Sequence, residues 1–226
     1  MPLYTADALV LRTYKLGEAD RIVVFLTRDR GKKRGVAKGA RRPRSRFVGA
    51  LEPLTEVKVA YFEKERRELV GLNYAETVRS PLAFAGGALG ARLDDGGDAL
   101  GYVGYFAELI DEWAADADAD DRLYRLGASM LEALAVGAPV GPLARYFEYW
   151  LLRLQGVYPE ERGTLSPGAM RFLTASRSVV PSRVADLPVE RGVVKELETV
   201  HRALIGMHLE KTLKSDRVLR DLRRLD

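Results

Sequence analysis

Thr55-Glu56-Val57-Lys58-Val59-Ala60-Tyr61-Phe62 sets Thr55, Val57, Val59 and Tyr61 against Glu56, Lys58, Ala60 and Phe62. That period of two is the mark of a β-strand. The polar run Glu63-Lys64-Glu65-Arg66 predicts a hairpin turn into Glu68–Ala75, where Val70, Leu72 and Tyr74 alternate with Leu69, Gly71 and Asn73. Upstream lie two apolar runs, Ala8–Tyr14 and Arg21–Thr27, then a turn at Asp29-Arg30-Gly31 and a short, glycine-spaced run from Lys32 to Ala40. Five strands in about 75 residues, with no helix of any length between them, predict a small closed barrel.

After Ser80-Pro81 the period becomes helical. Leu100, Val103, Phe106, Ala107 and Ile110 recur at steps of three and four, and Leu123 to Val136 resumes that pattern beyond the acidic break Ala114–Asp121. Gly141-Pro142 opens the clearest helix, with Leu143, Tyr146, Phe147, Trp150, Leu151 and Leu154 as one apolar stripe and proline in its first turn. The stripe reads as core, with a groove for a partner segment as the alternative. Residues 160–188 carry Gly163, Pro167, Gly168 and Pro181 at irregular spacing and predict an irregular insertion. Val193, Leu197, Val200, Leu204 and Met207 then predict a last long helix, followed by a short basic one over Asp216–Arg224. The expected class is α+β. A barrel over 1–80 precedes a helical domain over 81–159 plus 189–226, interrupted by the insertion.

A chain of 226 residues can bury a real core in one or two domains. It has no cysteine, which excludes disulfides, thiolate zinc sites and cysteine nucleophiles. His201 and His208 are the only histidines; seven residues apart on a helix they stand about 10 Å from each other, too far to share a metal. Asp111 and Glu112 are adjacent and point to different sides, and nothing pairs a nucleophile with a base. Asp116, Asp118, Asp120 and Asp121 lack the glycine and terminal glutamate of a calcium loop and read as an exposed linker. Gly31-Lys32-Lys33-Arg34-Gly35 lacks the spacing of a phosphate loop and has no long helix after it. A non-catalytic protein is expected. With no membrane-length apolar run and no signal-like start, the expected location is the cytoplasm.

Charge is what the sequence concentrates. Between Arg28 and Arg46 stand ten Lys and Arg against the single acid Asp29, whereas the whole chain carries only +4. The stretch 89–135 is the reverse, with three basic side chains among eleven acids. A dense cationic block on a β-domain points to a nucleic-acid backbone, held without sequence specificity and with steep salt dependence. Tyr14, Phe25, Phe47, Tyr61 and Phe62 are candidates for stacking on bases, with barrel core the plainer reading of each. The acidic stretch 94–121 is expected to face away from the nucleic acid or to meet a basic partner.

Several separated segments carry a resemblance to a known family. They are Ala8–Arg12 with Gly17–Val23, Thr27–Gly31, Val36-Ala37-Lys38-Gly39-Ala40-Arg41-Arg42-Pro43-Arg44-Ser45-Arg46-Phe47, Leu51–Leu54, Arg145–Gly156 and His208–Arg217. In this order, across nearly the whole length, they resemble the bacterial RecO family of DNA-repair proteins. The resemblance implies an N-terminal OB-fold and a helical domain in a recombination mediator. Such a mediator binds single- and double-stranded DNA, anneals complementary strands, associates with RecR, and helps RecA replace single-strand-binding protein. An RNA-binding OB protein is the alternative. The DNA contacts it suggests here are Arg12, Lys32, Lys33, Arg34, Lys38, Arg41, Arg42, Arg44 and Arg46. For the acidic tail of single-strand-binding protein the candidates are Arg145, Phe147, Trp150, Arg153, Arg202, Lys211 and Lys214. Many relatives carry a four-cysteine zinc module after the segment that is Gly156-Val157-Tyr158-Pro159 here; without cysteines, no metal or other cofactor is expected in this chain.

Overall fold

The computed structural model describes residues 2–63, 68–85, 99–159, 165–211 and 213–222. Two compact units divide the chain, one formed by Met1–Ala83 with Val103–Ala128 and the other by Phe84–Tyr102 with Ser129–Asp226.

All five expected strands are present in the first unit: β1 (Leu3–Leu16), β2 (Asp20–Thr27), β3 (Gly31–Ala37), β4 (Glu56–Phe62) and β5 (Leu69–Arg79). They close into a barrel in the order β1-β2-β3-β5-β4. Closure depends on the length of β1: Leu3–Leu9 pairs with β4, and Ala8–Leu16 pairs with β2. The β3–β5 pair is parallel and all others are antiparallel. This is the OB-fold architecture, a small Greek-key barrel. Residues 64–67 of the expected β4–β5 turn lie outside the described residues.

Alternation puts Ala8, Val10, Val23, Phe25, Val57, Val59, Tyr61, Val70 and Leu72 inside. Each large side chain so buried contributes about 1.5–3 kcal/mol. Phe25 meets Tyr61 edge to face at 5.8 Å. Where β3 crosses β5 the interior is so tight that a Cβ on Gly35 would strike Leu72 Cδ1. At the start of β3, Gly31 has φ +68° and packs against the Asp118 backbone, where only glycine fits.

The helices are α1 (Pro81–Ala85), α2 (Ala99–Trp113), α3 (Asp121–Ala135), α4 (Val140–Leu154), α5 (Pro167–Ala175), α6 (Arg191–Leu209) and α7 (Lys214–Leu222). Within the first unit, Val103–Ala128 returns to the barrel. Gly127 of α3 is close enough to β1 that a Cβ there would crowd Leu9 Cδ1. Lys32 N–H donates to Ala115 O and Ala117 N–H to Lys32 O, so the α2–α3 link extends the β3 edge. The acidic stretch is therefore partly a component of the barrel unit, not only of the helical domain in which the sequence placed it.

In the second unit the stretch 165–188 also differs from the sequence reading. It holds α5 and a 3₁₀ turn, Pro181–Asp186. Ser166 caps α5 by accepting from Ala169 N–H, and its own N–H and hydroxyl donate to Glu196 of α6 at 2.7 and 2.6 Å. Trp150 Nε1 donates to Ser176 O and Tyr146 OH to Val179 O, fixing the segment on α4. Inside this unit Arg145 reaches Glu148 at 2.6 Å, and Glu148 meets His201 Nδ1 at 3.0 Å. Expectations over 160–164, 86–98 and 223–226 lie outside the described residues. Among the described residues, no helix is long and apolar enough to cross a membrane.

Candidate nucleic-acid interface

The segment after β3 is an ordered arch tied down at both ends. Gly39, at φ +69°, donates its N–H to Asp20 Oδ1 at 2.8 Å. Arg41 donates its backbone N–H to Ala19 O at 2.9 Å and its Nη1 to Gly17 O at 2.9 Å. The first end is thus stitched to the β1–β2 turn. At the second end Phe47, Ala50 and Leu51 are buried in the barrel core. Arg42, Arg44 and Arg46 between these anchors are exposed, as are Lys38 just before the first anchor and Arg41 within it. Arg46 lies over the Phe47 ring, 5.1 Å from its centroid. Among the described residues, Lys38, Arg42 and Arg44 have no acidic partner within ion-pair distance. A cationic side chain on an anchored backbone presents charge with little ordering entropy left to lose.

Beside the arch, cross-strand pairing sets Tyr14, Ile22 and Val36 in one row across β1, β2 and β3. Paired residues share a face, and the row Thr13–Val23–Gly35 next to it points into the barrel. Tyr14 is 42% exposed, with the Arg12 guanidinium 5.0 Å from its ring centroid, and Arg34 is exposed one row away. Of the five aromatic candidates, Phe25, Phe47 and Tyr61 are core, Phe62 is half-buried, and Tyr14 faces solvent. Ile22 and Val36 complete a flat apolar strip that sequence reasoning missed. The bulge between Val10 and Arg12 reverses the alternation of β1 and hides that parity.

Three of the nine expected contacts are engaged elsewhere. Arg12 pairs with Asp111 at 2.7 Å, and Lys32 Nζ donates to Asp111 O at 2.7 Å while also facing the Asp111 and Asp116 carboxylates. Lys33 pairs with Glu63 at 2.8 Å. Arg28 is likewise held by Asp121 at 2.8 Å. These cations balance the unit's own acids. The basic partner expected for the acidic stretch is therefore, at least for Asp111, Asp116 and Asp121, its own barrel. Nearby, Tyr124 OH donates to Glu56, and burial together with that carboxylate pushes the phenol above its ordinary range.

Not all of the residues expected to meet an acidic tail reach the surface. Arg145 and Phe147 are buried, and Arg202 pairs with Glu198 at 3.0 Å. Trp150 and Arg153 do adjoin, the guanidinium 5.7 Å from the indole centroid. Lys211 and Lys214 are exposed near the start of α7. The family's zinc does not fit this chain: no cysteine exists, and between Pro159 and Pro181 the sequence offers only the carboxylates of Glu160 and Glu161 and no histidine.

Residues 1–81 match the family model described as Recombination protein O N terminal, and residues 95–163 match Recombination protein O C terminal. Curated relatives named DNA repair protein RecO align over long stretches. The protein from Koribacter versatilis (strain Ellin345) is 42% identical over 70% of this chain and 61% of its own length. That from Anaeromyxobacter sp. (strain K) is 38% identical over 67% of this chain and 56% of its own. That from Desulforudis audaxviator (strain MP104C) is 37% identical over 81% and 66% respectively. The chain spans about three fifths of the first two relatives' length.

Proposed function

The chain belongs to the recombination protein O family, and from that premise we propose that it is a recombination mediator that grips DNA through its barrel. The observation that carries the reading is the anchored arch, with five exposed cations running from Lys38, just before the Asp20–Gly39 bond, to Arg46, just before the buried Phe47. Arg34 and the Tyr14–Ile22–Val36 row lie beside it, offering charge for phosphates and a flat face for bases. Binding of this kind follows the backbone, so single- and double-stranded DNA are both ligands. Arg12, Lys32 and Lys33 act in stability, not contact.

Strand annealing follows from the same surface without bond chemistry. Cations that neutralise one strand lower its repulsion for the complement and raise the encounter rate. The chain then acts with RecR on DNA coated by single-strand-binding protein and so assists RecA, as the family reading implies. The test is annealing of complementary oligonucleotides coated with single-strand-binding protein. The reading expects the chain to accelerate annealing, with the rate falling steeply as salt rises. No acceleration, or preference for structured RNA over single-stranded DNA in competition, contradicts it.

A further inference from the structure

A second cationic site stands on the helical unit. Arg153 on α4 and Arg177 beyond α5 converge on one oxygen: Tyr149 OH accepts from Arg177 Nε at 2.7 Å and from Arg153 Nη1 at 3.0 Å. Tyr149 is fully buried, hydroxyl included, while both arginines are exposed. Among the described residues neither guanidinium has a carboxylate within ion-pair distance. Two cations held near each other by a neutral phenol repel, and the arrangement is complete only with an anion between them. Burial pushes the Tyr149 hydroxyl up, but hydrogen bonds from Arg177 and Arg153 and their charges outweigh it, so its net direction is down. With both lone pairs accepting, the buried phenol fixes the two guanidinium groups side by side.

We propose that Arg153 and Arg177, positioned from beneath by the buried Tyr149 hydroxyl, form an oxyanion clamp that takes a phosphate of a nucleic-acid backbone, apart from the barrel surface. This rests on the chain being a DNA-binding mediator. A phosphodiester suits the clamp better than an acidic peptide for two reasons. Residues 165–180 hold Arg171 and Arg177 and no acid, so the charge around the clamp extends to Arg171, whereas Arg183 beyond it is paired with Asp186 at 2.7 Å. A peptide would also need an apolar groove, and the neighbouring aromatics are engaged: Phe147 is buried, Trp150 is bonded to Ser176 O, and Tyr146 to Val179 O.

The test compares the full chain with its Arg153→Gln/Arg177→Gln variant in binding a fluorescent oligo(dT) across a salt series. The expected result is a slope of log K against log salt shallower by about 0.7, one phosphate on a single strand. An oligo(dT) bearing 4-thiothymidine should also crosslink to the wild-type chain at Tyr149–Leu154 or Arg177–Val180, a readout that does not depend on the variant folding. An unchanged slope with no crosslink there overturns the proposal. Loss of binding to a hexaglutamate peptide with unchanged DNA binding overturns it in favour of a peptide carboxylate. If the wild-type chain fails to bind oligo(dT) at all, the DNA reading itself fails. Binding that depends only on the arch arginines leaves that reading standing and removes the clamp.

Discussion

Asp111 decides which cations of the barrel are available. It is 4% exposed and faces both Arg12 and the half-buried Lys32. Removing one member of such a buried pair leaves an uncompensated charge. Asp111→Asn is expected to cost about 3 kcal/mol, read as a shifted urea midpoint at unchanged m-value. Lys32→Gln should likewise destabilise while leaving the salt slope of DNA binding as it was. A shallower slope would show that Lys32 touches phosphate after all. Tyr61 offers the opposite case. Its hydroxyl is buried with no hydrogen-bond partner among the described residues, and burial, then the nearby Glu63, push its pKa up to about 12. The phenol is neutral in both folded and unfolded chains below about pH 10; between there and pH 12 only the unfolded chain ionises. Stability is therefore lost as pH rises through that window. Tyr61→Phe is expected to gain about 1 kcal/mol at pH 7 and to move alkaline unfolding upward. Unfolding at the same pH in both proteins would contradict that account.

At the scale of elements, the arch is a loop that works because it is fixed. Asp20 accepts from Gly39 N–H, so Asp20→Ala removes one of the three bonds at the first end, and with it a negative charge beside the cations. Simple electrostatics expects tighter DNA binding from that change. The anchored arch expects weaker binding, by about 5- to 10-fold, because the lost bond to a charged acceptor must be offset by fresh ordering. A gel-shift titration at fixed salt separates the two. In the barrel, Gly35→Ala forces Leu72 aside where β3 meets β5 and should cost about 1–3 kcal/mol by thermal melting. The strands were legible because alternation survives in β4 and in β5 as far as Leu72, beyond which a register shift exposes Tyr74 and turns Ala75 inward. The outer face of β1 was not, since one bulge shifts the parity that places Tyr14 beside Ile22. Residues 165–188 were misread for a local reason: Pro167 and Pro181 open elements at their first turns instead of breaking them.

Over the whole molecule, the charge asymmetry written into the chain has two outcomes. Part of it closes internally, as Arg12, Arg28, Lys32 and Lys33 find Asp111, Asp121, Asp116 and Glu63. Sequence could count these charges but not pair them, because partners such as Arg28 and Asp121 lie 93 residues apart. The remainder, on the arch, meets no acid among the described residues and is the part left for a polyanion. The most direct measurement is therefore annealing, with the salt slope of single-strand binding beside it, for the variant carrying Lys38, Arg41, Arg42 and Arg44 all changed to Glu. Annealing should be abolished and the slope flattened by about 0.7 per lost phosphate, with an unchanged circular dichroism spectrum and melting curve. A folded variant that anneals as fast as the wild type at moderate salt would contradict the account.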